Sequence, residues 1–267
     1  MKLLCDIHTH TIFSRHAYST IEENVRAAAE AGLEVLGSAD HFGNMLFSDN
    51  DVRQWQFFYN LGCWPREWHG VTLLRAAEAD ICSLNGDLYG EDVAYKKSMI
   101  GQPYKEEQTL YTLVTRDLDY LVASIHNKTF TDDAPISATT QMYINALEHK
   151  RVLMIGHPGR AGVPFDIDEV LTVAKEKNKL IEINEHSFGM GPHAEVCKKI
   201  AIRCAELGVH IGVSTDAHIS HDIGKFPTAT SMLEEIHFPE ELIATRSRDA
   251  LFEQMRAAHV SKLKGLN

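Results

Sequence analysis

The chain has 267 residues, 44% of them hydrophobic and 24% charged, enough apolar material for one large α/β domain or two ordinary ones. Its 37 acidic residues outnumber 26 lysines and arginines, and the net charge of −11 argues against tracking a nucleic-acid backbone or resting on an anionic membrane. A small anionic substrate stays open, because bound cations invert a local potential.

In chain order, Lys2–Asp6 is the first strand candidate. A helix starts at Thr20, which forms a capping box with Glu23, and stops at Gly32. Strands are then predicted at Glu34–Ala39, Val71–Ala77, Tyr120–Ile125, Val152–Ile155, Leu180–Asn184 and Val209–Ser214. Helices are predicted at Ser137–His149, at Asp166–Lys177 behind an Asp-x-x-Glu box, at Pro192–Leu207 before Gly208, and at Ser247–Ala258.

Strands alternating with helices imply parallel pairing, and polar groups at strand end after strand end imply a closed or nearly closed barrel with its working face at the carboxyl ends. A doubly wound open sheet is the alternative, but it concentrates function at one crevice. Neither repeats nor a Pro/Gly/Ser linker divide the sequence, so residues 1–267 read as a single barrel domain. The stretch 79–117 is a longer excursion; its Asn85-Gly86 pair signals a hairpin, read with a loop and helix near the mouth as a candidate lid.

Cys5, Cys63, Cys82, Cys197 and Cys204 are scattered, which excludes a Cys-x-x-Cys metal ribbon and suggests no disulfide framework. Met1 to Leu4 is too short for a signal sequence, and no apolar run approaches the roughly 20 residues of a membrane span. The expected compartment is the cytoplasm, with no membrane partner.

Imidazole and carboxylate recur where the apolar runs end. His8 and His10 are two apart and can share one face of a strand, as can Asp216 and His218. His16 follows on a loop, and His41, Glu78, His126 and His157 each end a different run. These nine candidates exceed the three or four protein ligands of one zinc, so more than one divalent ion is expected. Asp6 is expected to orient an imidazole from behind.

Asp6-Ile7-His8-Thr9-His10, His16-Ala17-Tyr18-Ser19-Thr20, Asp40-His41, Leu74-Arg75-Ala76-Ala77-Glu78-Ala79, His157-Pro158-Gly159, Glu182-Ile183-Asn184 and Ser214-Thr215-Asp216-Ala217-His218 together resemble the PHP (polymerase and histidinol phosphatase) superfamily. The likeness is strongest to its stand-alone trinuclear-zinc phosphatase branch, the YcdX-like proteins. It implies a distorted (β/α)7, TIM-like barrel. It also implies one metal among His8, His10, Glu78 and Asp216, a second among Glu78, His126 and His157, and a third among His16, His41 and His218. Two departures stand out: the long 79–117 excursion, and Glu185-His186-Ser187 where smaller polar residues are expected.

Clustered divalent ions suit hydrolysis of a small phosphomonoester by a metal-bound hydroxide, with no protein nucleophile required. Zinc is the expected metal, with manganese and iron as alternatives. Arg160, Arg15 and His186 are the candidate substrate contacts, and Arg75 is a further cation near these motifs. Three alternatives remain at this point: a histidinol-phosphate phosphatase, a PHP-type phosphodiesterase or exonuclease, and a metal-binding module without chemistry of its own. Metal-dependent amidohydrolysis lacks the strand-end lysine it would need. The aromatic stretch Trp55–Tyr59 and Trp64–Trp68 reads as packing, and His221 as surface.

Overall fold

A computed structural model describes residues 1–47, 51–189, 191–260 and 266. Seven parallel strands follow one another around the molecule in chain order: β1 Cys5–Thr9, β2 Val35–Phe42, β3 Val71–Asp80, β4 Tyr120–Ser124, β5 Val152–Ile155, β6 Leu180–Asn184 and β7 Ile211–Ser214. Nearly every strand residue is buried, as expected for parallel strands covered on both faces. Helices α1 Ile21–Glu30, α2 Leu110–Thr115, α3 Ile136–Glu148, α4 Ile167–Glu176, α5 His193–Leu207, α6 Pro227–Glu235 and α7 Arg248–Ala257 accompany them.

The ring is distorted where β7 returns to β1. At the carboxyl ends the two meet through a single bridge, Thr9 to Ala217, with Asp216 N donating to His8 O at 2.8 Å and His10 N to Ala217 O at 2.9 Å. Deeper in, the segment before α7 takes the place of direct pairing. Leu4 N donates to Thr245 O, Val213 N donates to the Thr245 hydroxyl, and Ile243 bridges Ile211. The barrel closes tightly only at the end that carries the histidines.

Inside the ring, Ile7, Val35, Leu74, Tyr120, Val122 and Met154 form a core distinct from the larger layer between sheet and helices. The Tyr120 hydroxyl crosses this interior to the Ile7 carbonyl at 2.5 Å. It fits because β2 has Gly37 at that point: a Cβ there would lie 2.0 Å from the Tyr120 oxygen and 2.9 Å from Ile7 Cα.

Several elements depart from the sequence reading. β1 begins at Cys5 rather than Lys2 and runs on to Thr9, while β2 and β3 extend to Phe42 and Asp80, so His8, His41 and Glu78 sit within strands. The polar side chains broke the apolar pattern before the backbone left the sheet. Helix α6 escaped the sequence reading because Thr228 and Ser231 weaken its helical signal. Its first turn is held from outside, by the Glu185 carboxylate accepting from Thr228 N and Ala229 N at 3.0 and 2.7 Å.

Asn85-Gly86 forms a tight turn closed by Cys82 N to Asp87 O at 2.8 Å, with one bridge from Ile81 to Leu88. The two-stranded hairpin comes later, pairing Ala94–Lys97 with Pro103–Thr109. Its Tyr95 and Tyr104 pack on the outer core, and none of its residues lines the cavity at the barrel mouth. Trp55 and Phe58 pack edge-on around Phe42 in the outer layer, the packing role their sequence suggested. Among the described residues no helix is long and apolar enough to cross a membrane.

Candidate metal centre

Glu78, fully buried on β3, is the hub of the closed end of the barrel. Its Oε1 lies 2.7 Å from His157 Nε2, 3.3 Å from His8 Nε2 and 3.4 Å from His126 Nε2. Its Oε2 lies 2.6 Å from His41 Nδ1 and 3.6 Å from His10 Nε2. Asp216 is the second carboxylate, with Oδ1 at 2.9 Å from His10 Nε2 and 3.7 Å from both His8 Nε2 and His218 Nδ1. His16 completes the rim, its Nε2 at 2.9 Å from His218 Nε2 and 3.3 Å from His41 Nε2. All nine candidates therefore meet in one place.

Two of them sit on left-handed backbone, His157 at φ 30° and Asp216 at φ 58°. Such conformations cost about 1–3 kcal/mol each and persist only where surroundings impose them. Here Glu182 Oε2 accepts from His157 N at 2.5 Å, and His8 O accepts from Asp216 N.

Four of the imidazoles have a fixed partner on their other ring nitrogen, whereas His157 Nδ1 is buried without one among the described residues. His8 Nδ1 meets Glu182 Oε1 at 2.7 Å, and His126 Nδ1 meets Asp80 Oδ1 at 2.6 Å. His10 Nδ1 meets the Ser14 hydroxyl at 3.0 Å, which itself donates to Asp40 at 2.7 Å. His218 Nδ1 lies 2.9 Å from the Asp216 carbonyl. This outer ring of acceptors fixes tautomers and presents the opposite nitrogen inward. Asp6 does not belong to it, contrary to expectation. Its carboxylate is taken by Thr215 N, the Thr215 hydroxyl and Gly224 N, so it braces the β1–β7 junction. Glu182 and Asp80 do the orienting instead. Asp80 had a readable signal, because it follows Glu78 by two residues on the same strand face.

Electrostatics prepare the centre for cations. Burial alone would raise the carboxyls of Glu78 and Asp216. The surrounding imidazoles, His126, His8 and His41 for Glu78 and His8 and His10 for Asp216, hold both well below the usual range. Burial pushes His10, His16, His157 and His218 down toward the neutral form that ligates metals. His8 and His126 go the other way. Burial opposes their charge, but Glu182, Glu78 and Asp216 hold His8 up, and Glu78 and Asp80 carry His126 to about 10.

The residues fit divalent ions on a further ground. His8 Nε2, His41 Nδ1 and Glu78 Oε2 are buried without a hydrogen-bond partner, and the 2.6 Å approach of the last two lacks hydrogen-bond alignment. Leaving such atoms unmet costs about 1–3 kcal/mol each. Three overlapping sets have donors close enough to share an ion: His10, His41 and His218; His8, His10 and Glu78; and His41, Glu78 and His126.

A cavity of about 650 Å³ opens above the centre, lined among others by Met45, Lys128, Arg160, His186 and His193. Arg160 reaches down to Asp216 Oδ2 at 2.6 Å, and the exposed His186 stands at the wall on a short turn after β6. Lys128, absent from the sequence-based candidates, adds a second cation. Arg15 is a correction. Its residue has φ 65°, and the guanidinium turns onto the Leu46 carbonyl at 2.7 Å and the Phe47 ring, away from the cavity lining. Arg75 lies three residues before Glu78 on β3 and points toward the other end of the barrel. His221 is on the surface against Lys225.

A barrel of seven parallel strands with a histidine-carboxylate cluster at the carboxyl ends defines a metal-site scaffold. The chain belongs to the PHP domain family, whose pattern matches residues 6–186. A Clostridium acetobutylicum protein named as a probable phosphatase is 36% identical over 269 residues, covering 100% of this chain and 99% of that one. A probable phosphatase of Clostridium botulinum strain Okra is 38% identical over 268 residues, with the same coverage. Among solved structures, the fold is similar to Lactococcus lactis histidinol phosphate phosphatase complexed with zinc, L-histidinol and phosphate. That match has a TM-score of 0.57 at 18% identity, over 88% of this chain and 94% of the other.

Proposed function

We propose that the protein is a metal-dependent phosphatase that hydrolyses a small phosphomonoester at a centre of three divalent ions. The observation that carries this reading is the convergence of five imidazoles on the buried Glu78, with Asp216, His218 and His16 completing the same cluster. The phosphatase names of the full-length relatives and the zinc of the histidinol phosphatase support it. His8, His10, Glu78 and Asp216 would hold one ion; Glu78, His126 and His157 a second; His16, His41 and His218 a third. Zinc is the favoured metal on the imidazole-rich donor set.

Bound ions would supply Lewis acidity and an activated water. The chain's own groups do the rest. Arg160 and Lys128 face the cavity as donors for phosphoryl oxygens, and Asp216 fixes the Arg160 fork in place. His186 and His193 line the same cavity and would face the part of the ester that leaves. The cavity of about 650 Å³ matches a metabolite-sized ligand.

The zinc- or manganese-loaded protein is expected to turn over p-nitrophenyl phosphate and to lose that activity in His8→Ala. Silence of the loaded wild-type protein across a panel of phosphomonoesters would leave a binding module. Cleavage confined to phosphodiesters or oligonucleotides would favour the nuclease alternative, and preference for histidinol phosphate would narrow the reading to that ester.

A further inference from the structure

The end of the barrel opposite Glu78 holds a second cavity, of about 750 Å³, between the amino-terminal ends of β4 and β5 and the last turn of α7. Among the described residues, Arg66, Arg75, Arg116, Lys150, Arg151 and Arg256 line it, against Asp117 and Asp119. In a chain of net charge −11, this concentration of cations sets a local field opposite to that of the whole molecule.

Arg66 and Arg116 are paired with the two aspartates, and Arg75 and Arg151 are held in place without being neutralised. Arg75 Nη2 donates to the Trp64 carbonyl at 2.8 Å, and Arg151 donates to the carbonyls of Leu118 and Arg116 at 3.2 and 3.3 Å. Backbone oxygens fix these guanidinium groups but carry no full charge. Asp119 is shared, one oxygen 2.7 Å from Arg66 Nη2 and the other 2.8 Å from the Arg75 backbone N. The Asp117 carboxylate is taken by Arg116 at 3.3 Å. Among the described residues, Lys150 and Arg256 have no ion pair.

Donors are left over. Arg66 Nε and Nη1 and Arg75 Nε are buried without an acceptor. Buried donors of this kind are rare in folded proteins, and both side chains that carry them line the cavity. Burial and the neighbouring Arg66 charge also push the Arg75 guanidinium down from its ordinary value, against the pull of Asp119 and Asp117.

We propose that this cavity is a second ligand site, for a small polyanion presenting two or more phosphoryl groups. Planar guanidinium forks match phosphoryl oxygens two at a time, and the volume falls in the range of metabolite and cofactor pockets. Arg75, Lys150, Arg151 and Arg256 remain without a carboxylate partner among the described residues, more charge than a single phosphate would meet, whereas a diphosphate spans several of them. The site is separate from the metal centre and does not depend on the phosphatase reading.

The test is calorimetric titration of the full-length, metal-loaded protein with methylenediphosphonate, a diphosphate that cannot be hydrolysed, in buffer containing the loading cation. Lys150 and Arg256 are exposed, so the double variant K150Q/R256Q keeps the fold and the metal centre. Two binding classes are expected. K150Q/R256Q should weaken one by about tenfold or more while p-nitrophenyl phosphate turnover stays unchanged. R160Q, at the mouth, should weaken the other. The α,β-methylene analogue of ADP separates the sources: tighter binding than the bare diphosphonate at the class lost in K150Q/R256Q indicates a nucleotide, equal binding an inorganic diphosphate. One class only, insensitive to K150Q/R256Q, or loss of all binding in R160Q, would overturn the proposal.

Discussion

His8 and Glu182, separated by 174 residues and both fully buried, meet at 2.7 Å through Nδ1 and Oε1. The same carboxylate accepts from the His157 backbone N and from the Ser214 hydroxyl. One acidic side chain on β6 thus fixes the imidazole of β1, the left-handed turn after β5 and the end of β7. Glu182 touches the ligands from behind, and its removal should disturb the centre without removing a ligand.

Glu182→Gln is therefore expected to weaken metal binding by about 10–100-fold, the usual cost of losing such an orienting partner. Titration with a competing chelator measures it. Wild-type affinity in a folded Glu182→Gln protein would show that His8 needs no help to hold its orientation.

Metal uptake should expel protons. The carboxylates hold His8 above its ordinary value and His126 at about 10, so both imidazoles are protonated in the metal-free protein at neutral pH. A ligating imidazole must be neutral, so apparent affinity should climb as pH rises from about 6 toward 10. Calorimetry in buffers of different ionisation heat should show protons released. Heats independent of buffer would contradict this charge assignment.

Gly37 and Tyr120 are coupled through contact. Gly37→Ala places a methyl 2.0 Å from the Tyr120 oxygen and should destabilise the barrel by about 1–3 kcal/mol or more. Tyr120→Phe leaves the Ile7 carbonyl without its hydroxyl donor and should cost about 1–3 kcal/mol. Because removing the hydroxyl relieves the closest contact of the methyl and leaves only the Ile7 backbone at 2.9 Å, the double variant should be destabilised by less than the sum. Additive losses in denaturant unfolding would argue against this packing.

Lys179 is nearly buried, its Nζ donating to the Val152 carbonyl at 2.5 Å, and burial with the nearby Lys177 charge lowers it to about 8. The folded form thus loses its proton near pH 8, the unfolded form near the ordinary lysine value. The cost of burying the charge is fully present below pH 8 and is relieved as pH rises toward 10, because the unfolded chain there binds more protons. Lys179→Met, relative to wild type, should gain more stability at pH 7 than at pH 10. An equal difference at both pH values would remove the buried-charge argument.

Much of this arrangement was legible in the sequence, for a physical reason. Imidazoles and carboxylates ending apolar runs leave few explanations other than a shared face of a parallel barrel, and alternation along a strand places His8 with His10. The outer contacts were harder to read. Glu182 stood in a recognised strand-end motif, but its partners His8 and His157 lie on other strands, a relation that only the closed ring creates. Arg15 was misplaced because a positive φ reverses the chain there, and nothing in the residue type announces that turn. The Asn85-Gly86 signal was a real turn, but its flanks pair through a single bridge without extending into strands, and Gly86 itself lies against Asn145 and Met142 of α3. The basic cavity drew no notice, since its cations come from stretches far apart and converge only at the barrel's far end.

The central claim is that nine side chains hold shared divalent ions around Glu78, and elemental analysis of the purified protein tests it most directly. Zinc, manganese or iron should be found at close to three equivalents per chain, falling sharply in Glu78→Gln, which removes one charge from the carboxylate that five of the imidazoles share. A wild-type protein that stays metal-free after incubation with each of these ions, while remaining folded, would contradict the account.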